Sequence, residues 1–132
     1  MKGLQFLFVL LVTLNFKAQN TITNIEFIKP TKEYDNIHVQ KISSDSLSTT
    51  FVIWIKQKVR LHKHLYHREN VIIKEGSGQF QLEDSVYNVS AGDMITIPKN
   101  TWHGVTINPK NIMKVISIQS PEFLGDDRVF KN

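Results

Sequence analysis

The chain has 132 residues, with 16 Lys and Arg against 12 Asp and Glu, a net charge of +4 and no cysteine. That length suits one domain with a modest core and leaves no room for a second. The missing cysteine excludes disulfides, a thiolate zinc site, a cysteine nucleophile and an acylated-cysteine anchor; the basic residues form one small cluster, Lys56, Lys58, Arg60 and Lys63, which reads as a solvated turn and strand edge, so no nucleic-acid partner is expected.

Residues 1–18, MKGLQFLFVLLVTLNFKA, start with a single charge at Lys2, continue as an apolar run over 4–14 and end on the small Ala18. The run is shorter than the ~20 apolar residues that a bilayer span requires. It reads as a secretory signal peptide, which makes the protein exported, periplasmic or extracellular, with no stable membrane insertion after cleavage. Phe16 and Lys17 make a poor small-x-small cleavage site, so an uncleaved anchor is the alternative. Loss of Lys2 and Lys17 with this segment lowers the net charge from +4 to +2.

Residues 19–132 read as a single domain with its core over about 34–120 and a C-terminal tail at 121–132. Short runs rich in β-branched and aromatic residues predict strands at 37–42, 50–55, 59–64, 71–74, 79–82, 86–89, 94–97, 103–107 and 113–119. No helical periodicity of useful length follows residue 18. So many short strands without crossover helices bury their edges best in two packed sheets or a closed barrel, which makes the fold class all-β, a jelly-roll β-barrel. Gly76-Ser77-Gly78 is expected to be a hairpin turn and not a phosphate loop, since no helix follows it. Phe51, Trp54, Phe80, Met94 and Trp102 are expected in the core or at the barrel mouth, with Trp102 a candidate pocket wall. The polar tail is expected to fold back as a loop on Phe123 and Phe130, without a functional role.

The chemistry concentrates in LHKHLYHREN, residues 61–70. Side chains two apart on a strand share a face, so His62 and His64 would stand side by side as half of a metal site. Taken alone, the pair is weak evidence and reads more readily as surface or satisfied core histidines. Glu69 lies just before the next strand, where a tight connection could bring its carboxylate beside the pair. His103, at the start of the strand HGVTI, could complete a set of three imidazoles and one carboxylate. His67 is expected to be an exposed turn residue, with a place behind the ligands or against a substrate as the alternative.

The segment 62–76, HKHLYHRENVIIKEG, resembles the first signature of the cupin superfamily, and 92–103, GDMITIPKNTWH, resembles the second. Together they span 56–108. Two departures stand out: Lys56 occupies the place of the usual glycine before the first histidine, which implies a turn of different backbone shape, and Asn100 replaces a second glycine with the next most tolerant residue for left-handed geometry. The resemblance implies a small single-domain cupin barrel in which His62, His64, Glu69 and His103 ligate one divalent transition metal (Mn, Fe, Ni, Cu, Co or Zn), a donor set softer than Mg or Ca prefers. It further implies a small-molecule ligand or substrate, a possible homodimer and, for an enzyme, dioxygenase-type oxidation ahead of isomerisation or decarboxylation. A barrel that binds without turnover, or a structural barrel with an empty site, are the alternatives.

Overall fold

A computed structural model describes residues 22–131; the expected signal peptide lies outside the described residues. One turn of 3-10 helix, Ile25–Phe27, precedes ten strands: β1 (Ile37–Ser44), β2 (Thr49–Ile55), β3 (Lys58–His64), β4 (Arg68–Glu75), β5 (Ser77–Leu82), β6 (Ser85–Ser90), β7 (Met94–Ile97), β8 (His103–Ile107), β9 (Met113–Ser120) and β10 (Arg128–Phe130). Nine of these fall on the runs that pattern predicts, some a few residues longer. The strands pair antiparallel in two sheets, ordered β1-β2-β9-β4-β7 and β10-β3-β8-β5-β6. Only β1–β2 and β5–β6 are hairpins between consecutive strands; every other connection crosses from one sheet to the other, which is the winding of a jelly roll. The backbone pairing keeps two facing sheets and does not close them into one continuous wall.

The two hairpins have local causes. Asp45 Oδ1 accepts from Leu47 N at 2.8 Å and Ser48 N at 2.9 Å and bends the chain from β1 to β2. Glu83, at φ 52, supplies the left-handed residue of the short β5–β6 turn. Gly76-Ser77-Gly78 is not a hairpin: β4 and β5 belong to different sheets, and Gly76, at φ +84, turns the corner between them. Local composition marks a turn there, but the partner of β5 is decided by long-range pairing.

At Lys56 the turn keeps negative φ, as expected for a lysine in the place of a glycine, and Asn36 braces it. The Asn36 side chain accepts from Gln57 N at 3.0 Å and Lys58 N at 3.1 Å, and donates to Lys58 O at 2.8 Å. Asn100 does adopt left-handed geometry, at φ 62, and its N–H donates to the His64 carbonyl at 2.6 Å.

Between the sheets lies an apolar body of Ile55, Val71, Ile73, Phe80, Val89, Ile97, Val105, Ile107, Met113 and Val115. On the outer face of the first sheet the chain before β1 acts as a cover. Lys114, fully buried, donates to Ile25 O at 2.8 Å and lies 3.4 Å from Glu75, so the ammonium ties that segment to β9 while its charge is met. Met94 departs from the expected core: it sits on the edge strand β7 and is 59% exposed.

One irregularity sets the direction of the histidines. On β3, Val59 pairs with Val105 and His62 with His103, so β3 carries one extra residue between these points, a β-bulge that reverses side-chain alternation. Val59 therefore faces the interior together with His62 and His64, although strict alternation would send them to opposite faces. The bulge presses on Gly104, where an added Cβ would lie 2.8 Å from the Val59 carbonyl oxygen. Gly104→Ala is expected to cost about 1–3 kcal/mol by forcing one backbone aside. Urea unfolding of the purified variant checks it, and an unchanged midpoint would remove the requirement for glycine.

Candidate metal centre

The four side chains singled out by sequence meet at one end of the inter-sheet cavity. His62 and His64 come from β3, His103 from β8 and Glu69 from β4 in the facing sheet. One ligand atom from each of His62, His64 and His103 can be chosen so that all lie within 4.8 Å of one another. All four residues are buried.

Each imidazole is anchored through Nδ1. That of His62 donates to the Arg60 carbonyl at 2.8 Å and that of His103 to the Thr101 carbonyl at 2.9 Å, since a carbonyl can only accept. His64 Nδ1 donates to the Asp127 carboxylate at 3.1 Å. With the hydrogen fixed on Nδ1, each ring turns the lone pair of Nε2 inward. Nε2 of His64 and of His103 is buried without a hydrogen-bond partner among the described residues. Glu69 is fixed in the same way: Oε1 accepts from the Ser117 hydroxyl and, at 3.4 Å, from Gln119 Nε2. Oε2 is thereby presented 3.2 Å from His103 Nε2 and 3.7 Å from His64 Nε2. Lone pairs facing one another at such separations in a buried site repel unless a cation lies among them, so these residues fit a metal ion.

The electrostatics agree. Burial pushes His62 down to about 4, aided by His103, and lowers His64 against the pull of Glu69 and Asp127; both are neutral near pH 7, the form that ligates metal. Burial works to raise Glu69, but in the metal-free protein attraction to a proton-bearing His103 ring, the Ser117 hydroxyl and attraction to a proton-bearing His64 outweigh it and hold the carboxyl at about 2; a metal ion among the same atoms would take the place of that shared proton.

His67 is the clearest correction. It is not an exposed turn residue but 3% exposed, with Nδ1 on Asp127 Oδ2 and Nε2 2.6 Å from the Glu122 carbonyl oxygen. Although His64, His67 and Asp127 also form a compact triad, both His67 nitrogens already have acceptors, which sets this ring outside the inward-facing donor set. Its role is to hold the tail. Asp127, fully buried, accepts from the N–H groups of Tyr66 at 3.1 Å and His67 at 3.2 Å as well as from both rings. Burial would raise its carboxyl, but the Tyr66 N–H and the two imidazoles draw it to about 2.

The tail thus completes the site from the side opposite β8. Strand β10 pairs with β3, placing Arg128 opposite His64 and Phe130 opposite His62. Phe123 packs on His64 and His67 at ring-centroid distances of 5.9 and 5.4 Å. Sequence reasoning missed Ser117, Gln119, Asp127 and Arg128. Ser117 and Gln119 did carry a signal, because they interrupt the inward apolar series Met113, Val115 of β9 with two polar residues. Asp127 and Arg128 carried none, lying in a polar tail without strand pattern. Trp102 is no pocket wall: it lies outside the cavity lining, half-buried beneath Lys63 and Lys131 at 4.8 and 5.7 Å.

Two outcomes follow for the metal-free protein. Because His62 and His64 take up protons more readily when unfolded, stability is expected to fall as pH drops from about 6.5 towards 4, and to fall further between about 4.5 and 2 as Glu69 and Asp127 protonate. Thermal midpoints measured across this range check the sign; a midpoint that rises on acidification contradicts it. Asp127→Ala leaves four donors facing a void and is expected to cost about 3–5 kcal/mol in urea unfolding.

Comparison with known proteins agrees with this architecture. Residues 50–119 match the family model of the cupin domain. Acireductone dioxygenase of Rattus norvegicus is 29% identical over 110 residues, covering 77% of this chain and 56% of the dioxygenase. The chain spans less than two thirds of the length of the curated relatives it matches. Among solved structures, a conserved protein with a double-stranded β-helix domain from Klebsiella pneumoniae superposes with a TM-score of 0.72 at 15% identity, covering 85% of this chain and 97% of that one. The Streptomyces nucleoside dehydratase Pac13 superposes with a TM-score of 0.64 at 18% identity over 76% of this chain and 84% of its own. These two likenesses describe the fold alone. With the family model covering just over half of the chain, and the β-winding and facing sheets to match, the chain belongs to the cupin family.

Proposed function

We propose that this protein holds one divalent transition metal (Mn, Fe, Co, Ni, Cu or Zn) through Nε2 of His62, His64 and His103 and Oε2 of Glu69, and acts on a small organic molecule by dioxygenase-type oxidation. The observation that carries the metal is the pair of buried Nε2 atoms without partners, facing a carboxylate oxygen that is itself held in place. An ion in that donor set would supply Lewis acidity or a redox centre, with coordination positions left for substrate and dioxygen.

The cavity favours oxidation over isomerisation. It measures about 100 Å³ and, apart from the four proposed ligands, its one ionisable lining residue among those described is Arg128, whose guanidinium offers only hydrogen-bond donors. An isomerase needs a residue to take a proton from one carbon and return it to another; this lining offers none. Similarity to acireductone dioxygenase supports the same choice. The same scarcity of acid–base groups favours, as the second reading, a barrel that binds metal and ligand without turnover.

Export belongs to the proposal and rests on residues 1–18. So does pairing of two copies through a sheet edge, for which β1 is suited: it is an edge strand whose Ile37 and Val39 are 40% and 51% exposed.

Elemental analysis of purified protein is expected to give close to one transition-metal ion per chain. His62→Ala combined with His103→Ala is expected to abolish that metal and leave the far-ultraviolet β signature intact. Full occupancy in the double variant would show that other groups hold the ion. Oxygen uptake by the loaded protein over a panel of phenols and diketones separates the enzyme from the binding barrel.

A further inference from the structure

Among the described residues, Arg128 is the lone cationic side chain lining the cavity that contains the three histidines and Glu69. Its direction follows from register. In the β10–β3 ladder Arg128 stands opposite His64, and side chains of paired residues share a face, so the guanidinium is carried on the histidine side of the sheet. It lies 5.6 Å over the Phe123 ring, which steadies it without neutralising it. The residue is exposed, which places its side chain at the solvent-facing mouth of the cavity, and no ion pair or side-chain hydrogen bond engages it among the described residues, although Asp127 precedes it in the chain and Glu69 lines the same cavity. Asp127, its neighbour in the chain, is turned away and occupied by His64, His67 and Tyr66. Glu69 is held by Ser117 and Gln119.

Solvent therefore meets the guanidinium charge, which stays available to an anionic ligand at the cavity mouth. With neutral imidazoles, Glu69 offsets one unit of a divalent ion, and Arg128 adds another positive charge at the same cavity. A planar guanidinium with unused N–H donors matches a carboxylate in two parallel hydrogen bonds, a fit that a lysine ammonium does not reproduce. The remaining wall is apolar, formed by residues such as Val59, Ile73, Phe80 and Val115. A volume of about 100 Å³ limits the enclosed part of a ligand to about four to six non-hydrogen atoms, in proportion to cavities known to admit benzene.

Building on the metal-centre reading above, we propose that Arg128 is the specificity-determining anchor for a substrate carboxylate, and that the substrate class is a small organic acid with a short hydrocarbon portion, reaching from Arg128 to the histidine cluster. Position and chemistry divide the work: β3, β4 and β8 supply the ion's donors, while the C-terminal strand selects the anion.

The test uses the full chain loaded with Co²⁺, with pyruvate as the acid and pyruvamide as a neutral probe of the same size that retains the adjacent dicarbonyl. Calorimetric titration is expected to show pyruvate binding at least about ten-fold more tightly than the amide, the effect of charge-assisted hydrogen bonds. Arg128→Gln is expected to weaken pyruvate by about ten-fold and leave the amide nearly unchanged, with Arg128→Lys in between. Co²⁺ per chain and the visible spectrum without ligand should be the same in all three proteins. Equal affinity for the two probes in the wild type, or undiminished pyruvate binding in Arg128→Gln, overturns the anchor and leaves the metal centre standing. Loss of Co²⁺ from Arg128→Gln would make the residue a structural strut and equally overturn it. Failure of the wild type to take up Co²⁺ would remove the metal reading, and the anchor with it.

Discussion

The constraint on which the site depends is the hydrogen fixed on Nδ1 of three imidazoles. Two backbone carbonyls and one carboxylate each accept from a ring, and the lone pair of the other nitrogen must then point into the space between the sheets. None of the three rings is free to exchange tautomers without leaving an acceptor, or a donor, unsatisfied in a buried place. The bulge in β3 is the backbone counterpart of the same constraint. By inserting one residue opposite Gly104 it brings His62 and His64 to the interior face that Val59 already occupies.

Placing three histidines, Glu69 and Asp127 in the interior of a small domain opposes folding, because ionised and polar groups leave water. The structure offsets this with local hydrogen bonding and not with a second layer of charge. Ser117 and Gln119 engage one oxygen of Glu69, and two backbone N–H groups together with two imidazoles engage Asp127. The apolar body from Ile55 to Val115 lies at the other end of the cavity, so the interior is graded from polar to hydrocarbon.

The C-terminal tail links stability to function. Asp127 is at once the acceptor that orients His64 and the anchor that fastens residues 121–131 to the barrel, with His67 as the clasp. Phe123 and Phe130 pack against the histidine rings, and Arg128 faces the cavity between them in sequence. A change that loosens the tail therefore reaches a proposed ligand, its hydrogen bond and the cavity mouth together. The segment with the least regular sequence pattern is where orientation of the centre and selectivity for its ligand would meet.

By itself the amino-acid order determined the strand content, the family resemblance and the four residues that converge, since alternation and fixed spacing are local properties that survive without a partner strand. It also carried the backbone consequences of Lys56 and Asn100. Only the tertiary structure decided that Gly76 turns a corner between sheets, that His67 is buried, that Met94 is exposed, and that Asp127 and Arg128 belong to the site. These outcomes depend on which strand lies beside which, and a polar residue is indistinguishable from a solvated one in sequence until the group that accepts its hydrogen is known. For His67 and Asp127 that group lies about sixty positions away along the chain, joined only when β10 closes against β3.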